Sequence, residues 1–370
     1  MDAVPEMAIS LKDFKDAPSG DSEKSRSRTT ALVTGSVALG ALVTSAVLEK
    51  ARHRKYPVPI ELPPALSADL HELEIMEGVT RFYVRPGEGV PLVLLHAISA
   101  AGSSFEMKPV FDHFARATNR PLYALEWFGF GRSDRPPVRY SPGLYQRQLR
   151  RTLSEVVSDR ADVVALSLSA EYAATVANAF PVLVQRLVLI SPTGMDARSN
   201  TSIMRNAVVG TAGRAGFFEL MYSRLTTREA LRTFFARQIF SAGADVPEDL
   251  LDYAYLTSHA RGAHHAPRHF ISGSLFMGDY SRRGFETLRV PSLVIVPDSP
   301  PSSLQDFGEV GEIASANELM SVHRLPTGLL PHWERPDEVL PLIEEFLQTD
   351  TDPVTRQPKG RQREEGAVME

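Results

Sequence analysis

The chain has 370 residues, 43% hydrophobic and 23% charged, enough for a large core and longer than an average single domain. A formal net charge of −5 and a pI of about 6.1 exclude the strongly basic face expected of a nucleic-acid binder. With no cysteine there are no disulfides, no cysteine zinc sites and no thiolate nucleophile, while the redox compartment stays open.

In chain order, residues 1–28 are polar and mixed in charge and are expected to be disordered; their acidic residues Asp2, Glu6, Asp13 and Asp16 argue against an organellar transit peptide. Residues 29–48 (TTALVTGSVALGALVTSAVL) carry no charge. As a helix such a run is about 30 Å long, the thickness of a bilayer core, so a single transmembrane helix is expected. Ser36, Gly40 and Thr44 form a small-residue row through which two such helices could pair as a homodimer. A cleaved or retained signal segment is the other reading of this run. The basic cluster after it (Lys50, Arg52, Arg54, Lys55) is denser than the one before it (Lys24, Arg26, Arg28), which points to a cytoplasmic C-terminal domain. Residues 49–68 are read as a linker, with Pro57, Pro59, Pro63 and Pro64 favouring extended chain.

Beyond residue 69 the hydrophobic pattern becomes strand–helix alternation. Strands are expected at 71–76, 79–85, 90–96, 121–127, 162–166 and 186–191, with helices at 104–117, 145–160 and 169–180. Residues 200–284 read as helices only, and the alternation resumes with strands at 290–296 and 320–325 and helices at 303–316 and 337–347. The pattern predicts a mostly parallel sheet covered on both faces, a core of 69–199 and 285–347, a helical cap of 200–284 and a disordered tail of 348–370.

Four segments carry the chemistry: Leu95-His96-Ala97-Ile98 closing a strand, Gly129-Phe130-Gly131-Arg132-Ser133-Asp134 after the next, Ala165-Leu166-Ser167-Leu168-Ser169-Ala170 between a strand and a helix, and Pro331-His332-Trp333-Glu334-Arg335-Pro336 before the last helix. The third has the demands of a nucleophile elbow. Its sharp turn needs small residues two before and two after the nucleophile, which Ala165 and Ser169 supply around Ser167; Ser169 as nucleophile would place Glu171 at a small position. In this order the segments resemble the α/β-hydrolase family, in particular its capped members, over about residues 72–347. The resemblance implies Ser167 as nucleophile and the backbone amides of Ile98 and Leu168 as oxyanion donors. A serine there argues against the aspartate chemistry of epoxide hydrolases and dehalogenases.

The remaining triad positions depart from the family pattern. Aligned without a gap, Leu329 occupies the place of the usual catalytic histidine, and His332 is the sole histidine in the correct loop, so His332 is the candidate base. Pro300 falls at the usual acid. Asp298, two residues earlier on the same side of an extended chain, is the first candidate acid, with Asp196 the alternative. The cap histidines His259, His264, His265 and His269 lack a zinc-ligand pattern, and no metal, cofactor or nucleic acid is expected. Two functions follow: a membrane-anchored serine hydrolase acting on a small hydrophobic ester or related acyl substrate, or a membrane-tethered binding or scaffold protein that kept the fold and lost the base.

Overall fold

The computed structural model describes residues 61–195, 217–301, 305 and 307–348. The apolar run 29–48, its Ser36/Gly40/Thr44 face, the polar tail and Asp196 lie outside these residues. Among the described residues, no helix is long and apolar enough to cross a membrane.

Eight strands form one sheet: β1 (Asp69–Ile75), β2 (Gly78–Arg85), β3 (Leu92–Leu95), β4 (Leu122–Glu126), β5 (Ala161–Leu166), β6 (Val184–Ile190), β7 (Ser292–Pro297) and β8 (Met320–Leu325). Their spatial order is β1-β2-β4-β3-β5-β6-β7-β8. β1 and β2 pair antiparallel, as do β2 and β4; every other pair is parallel. All residues of β3, β5 and β7 are buried, as parallel strands covered on both faces must be.

Helices α1 (Lys108–Ala117), α2 (Pro142–Arg151), α3 (Ser169–Ala179) and α11 (Pro336–Gln348) accompany the sheet. Pro109 and Pro142 sit in the first turns of α1 and α2, where a missing N–H costs nothing, and Ser141 caps α2 by accepting the Leu144 N–H. Between β6 and β7 the described residues form helices and no strand: α4 (Phe217–Leu225), α5 (Arg228–Phe234) running into a π-helical turn (Phe235–Ile239), α6 (Glu248–His259), α7 (His265–Ile271) and α8 (Asp279–Glu286). The buried aromatics of this region include Phe218, Tyr222, Phe235 and Phe240, whereas Phe234 is exposed.

Several expectations need correction. The helix expected from 145 begins at Pro142 and passes at Thr152 into a π-helical turn ending at Val157. The one expected at 104–117 is a 3-10 turn, Ser104–Met107, followed by α1, and the one expected at 303–316 is the short α9 (Val310–Ser315). The loop before α11 contains a further short helix, α10 (Pro331–Glu334). Residues 61–68, read as the end of a free linker, are packed down. Leu62, Ala65 and Leu66 are buried, Tyr83 Oη accepts the Ala65 N–H at 2.8 Å, and Tyr253 Oη of α6 donates to the Pro63 carbonyl at 2.8 Å. Prolines fix an extended strap here, and its apolar side chains find a surface to cover.

Candidate active site

The β5–α3 junction places Ser167. Strand β5 ends at Leu166 and α3 begins at Ser169, so the chain reverses within two residues, and Ser167 takes up a left-handed backbone with φ 55°. For a residue with a Cβ this costs about 1–3 kcal/mol, and the surrounding structure must impose it. The imposing bonds run from the Ser167 N–H to the Ile190 carbonyl (2.9 Å) and from the Ala170 N–H to the Ser167 carbonyl (3.0 Å). The side chain is half-buried, and among the described residues its hydroxyl makes no hydrogen bond.

The β3–β5 register, Leu95 opposite Ala165, puts Ile98 and Leu168 each three residues beyond a paired position, at the carboxyl edge of the sheet. Among the described residues, neither of their N–H groups donates to another group. Leu168 stands at the start of α3, where helix amides are unpaired and the dipole favours an anion. The segment bearing Ile98 is held from both sides. The His96 carbonyl accepts from Ser169 Oγ (2.5 Å) and Trp127 Nε1 (3.0 Å), which ties it to the elbow helix and to the end of β4. The Ala97 N–H donates to Glu106 Oε2 at 2.9 Å. Gly102 is required by the close approach, because a Cβ there would lie 2.2 Å from the Ala97 carbonyl oxygen.

His96 is neutral and structural. Nδ1 donates to the Ala97 carbonyl (2.7 Å), Nε2 accepts the Trp127 N–H (3.1 Å), and burial pushes its pKa down to about 3. Beneath it lie two buried carboxyls. Burial raises Glu106 to about 8 and Glu126 to about 7, with each charge opposing the other at Glu106, while the Ala97 and Ser104 amides partly offset the shift. Gly131 has φ 48°, and a Cβ on it would collide with the Glu126 carboxyl at 1.8 Å.

The other half of the expected triad is not assembled. His332 is fully buried, its Nε2 donates to the Glu106 carbonyl at 2.8 Å, and its Nδ1 has no partner among the described residues. The reason is local. Pro331 starts α10, turning the next side chain onto the 104–107 turn, where Trp333 Nε1 donates to the same carbonyl at 2.7 Å. Burial also lowers the imidazole to about 4, so it is neutral with its lone pair facing protein interior. Among the described residues, His332 thus makes no hydrogen bond to Ser167 or to a carboxylate.

Asp298 follows the end of β7 with an exposed side chain; its N–H continues the sheet to the Leu325 carbonyl (2.8 Å), and its carboxylate does not reach His332. Two residues nearer β7 than the usual acid position, Asp298 keeps the strand phase, but its side chain faces solvent. Leu329 packs against the main core, with its N–H bonded to the Ile239 carbonyl at 2.6 Å. Glu334 fixes the same loop by accepting from the Gly328 N–H (2.7 Å) and from Ser241.

Two further residues escaped the sequence reading. Glu171 in the first turn of α3 is buried and accepts from Thr193 Oγ1, Ser281 Oγ and the Met277 N–H, joining α3 to the β6 exit and to the returning helices before β7. Ser191, beside Ser167 across the β5–β6 pairing, is also left-handed, with φ 44°. A glutamate three residues after a polar turn is a weak signal for the first, and nothing in the sequence marks the second.

Comparison with known proteins supplies the remaining context. The model of the alpha/beta hydrolase family matches residues 92–342. Uncharacterized proteins of Mycobacterium bovis and Mycobacterium tuberculosis are 30% identical over 139 residues, and the chain spans 38% of the length of these relatives. Among solved structures, a probable hydrolytic enzyme of Pseudomonas aeruginosa superposes with a TM-score of 0.61 (18% identity, 78% of this chain and 99% of that one). A serine hydrolase involved in carbazole degradation does so with 0.60 (17%, 76% and 99%), and a bacterial membrane phospholipase A with 0.58 (16%, 86% and 95%). At these identities the structures speak for the fold alone, whereas the family model covers most of the chain, including residues 95–98 and the turn at Ser167. The chain belongs to the α/β-hydrolase family, and hydrolase is the enzyme class that family carries.

Proposed function

We propose that the protein is a serine hydrolase of hydrophobic esters or related acyl compounds, with Ser167 as nucleophile and the Ile98 and Leu168 amides as oxyanion donors. The observation that carries this reading is the left-handed Ser167, whose hydroxyl makes no hydrogen bond among the described residues, at the same sheet edge as the Ile98 and Leu168 N–H groups, which donate to none of those residues. Such donors act on charge that develops in the transition state and need no proton transfer of their own. Without an imidazole partner the serine is a weak nucleophile, so turnover is slow. An oxyanion hole and binding alone sustain about 10³–10⁴-fold acceleration over water.

The uncharged run 29–48 and its flanking basic residues support a membrane tether with the hydrolase domain on the cytoplasmic side, and the Ser36/Gly40/Thr44 row supports pairing of two tethers. The fold shared with a membrane phospholipase A fits a lipid-like acyl substrate.

A second reading, a tethered binding protein without turnover, is favoured by the burial of His332 against the Glu106 carbonyl. A fluorophosphonate probe separates the two. The hydrolase reading expects slow labelling over hours, mapped by mass spectrometry to Ser167 and lost in Ser167→Ala. No labelling at saturating probe, with the protein folded, leaves the binding reading.

A further inference from the structure

We propose that Glu106 is a positioning residue for the Ile98 amide, and that His332 and Trp333 serve the site by gripping the backbone of Glu106. This deepens the reading of Ser167 as a nucleophile and rests on it.

The Ile98 N–H can serve an oxyanion only if the turn after β3 is fixed. Its His96 carbonyl is fixed by Ser169 and Trp127. Its Ala97 N–H is fixed by one group, the Glu106 carboxyl at 2.9 Å. The Ala97 N–H lies in the peptide before the one that carries the Ile98 N–H, and that next peptide is held through its Ala97 carbonyl by His96 Nδ1 at 2.7 Å, so Glu106 anchors the Ala97 side from which the Ile98 peptide departs.

Glu106 lies on a single 3-10 turn, too short to be rigid alone. Ser104 at its start is tied to β4, its N–H donating to Glu126 Oε2 (3.0 Å) and its Oγ to the Leu125 carbonyl (3.3 Å). At Glu106 itself, the carbonyl receives His332 Nε2 and Trp333 Nε1 at 2.8 and 2.7 Å, from 226 and 227 residues away. Phe105 stacks between Tyr253 and Trp333, with centroids at 4.6 and 6.0 Å. One residue thus joins the loop expected to supply the base to the loop that supplies an oxyanion donor, through its backbone on one side and its carboxyl on the other.

A purely structural role explains this poorly. A buried carboxyl beside a second one, Glu126, costs stability that an apolar side chain of similar volume would not. The acceptor for Ala97 is what an apolar residue cannot replace.

The test compares Glu106→Gln, which keeps an acceptor oxygen, with Glu106→Leu, which does not. Fluorophosphonate labelling of Ser167, amide hydrogen exchange of the 96–103 segment and the thermal midpoint are measured on the full chain. Glu106→Leu is expected to slow labelling and speed exchange about tenfold each without lowering the midpoint, and Glu106→Gln to restore both to within about twofold. Unchanged labelling and exchange in a folded Glu106→Leu protein overturns the proposal. Altered exchange with no labelling even of the unmodified chain leaves the positioning intact and removes the reading of Ser167. If Glu106→Leu does not fold, Trp333→Phe, which removes one donor to the Glu106 carbonyl, is expected to speed exchange about threefold, and unchanged exchange there overturns the proposal as well.

Discussion

The elbow at the end of β5 and the loop before α11 lie at the same edge of one sheet, yet they have been built to opposite ends. At the elbow, hydrogen bonds are arranged so that, among the described residues, three groups stay unused: the Ser167 hydroxyl and the amides of Ile98 and Leu168. In the loop before α11, most polar groups are engaged in structure, His332 Nδ1 being the exception among the described residues. His332 and Trp333 share the Glu106 carbonyl, Glu334 binds Gly328 and Ser241, and the Leu329 N–H is fixed to Ile239. Unspent hydrogen-bonding capacity at a strained residue is a mark of chemistry, whereas a histidine whose ring nitrogen is committed to a backbone carbonyl is a strut. Family position alone would have treated both regions as catalytic.

The contrast can be broken at Leu329. Replacing it with histidine puts an imidazole at the position aligned with the usual base, and we expect Ser167 labelling to rise about a hundredfold above the pH at which that imidazole is neutral. Labelling unchanged in Leu329→His would mean that the loop backbone, and not the missing imidazole, separates the two regions.

The buried titratable groups sharpen the contrast through stability. Glu106 and Glu126 are raised above their ordinary values, to about 8 and about 7, so their neutral forms are favoured in the folded protein. Their contribution is intact below the ordinary carboxylate range and is lost as pH rises through 7 to 8. His96 and His332 are depressed to about 3 and about 4, so their contribution is intact above the ordinary imidazole value near 6.5 and is lost as pH falls through 4 to 3. Thermal midpoints should therefore fall on both sides, with the alkaline fall flattened in Glu106→Gln and the acid fall flattened in His332→Gln. An alkaline slope identical in Glu106→Gln and the unmodified chain would show that Glu106 is already ionised.

The smallest effect is expected at the strap. Tyr253→Phe removes the bond to the Pro63 carbonyl and should cost about 1 kcal/mol. Denaturant titration resolves this, and no change would indicate that the buried Leu62, Ala65 and Leu66 hold the strap unaided.

Much of the frame was legible in the sequence because it is written in local patterns. The apolar runs that became β3 to β8 fall within a few residues of the observed strands, and 320–325 coincides with β8. The small residues flanking Ser167, Ala165 and Ser169, mark the sharp turn in the sequence itself. What stayed hidden depends on partners distant in the chain. Pro331 could be read as a bend, but not that the bend would aim His332 at a carbonyl 226 residues earlier. Glu106 and Glu171 look like ordinary solvent-facing helix residues in one dimension, because burial of a carboxylate is decided by the donors that surround it. The offset of Asp298 preserved strand phase, and phase does not say where a strand ends.

The central claim is that the nucleophile and its oxyanion donors are assembled without His332 as the base. The most direct measurement is the rate of Ser167 labelling by a fluorophosphonate in His332→Ala at neutral pH. We predict a rate within about tenfold of the unmodified chain, reflecting only a loosened Glu106 carbonyl. A loss of about a thousandfold or more in a folded protein, the scale seen when a true triad base is removed, would contradict the account.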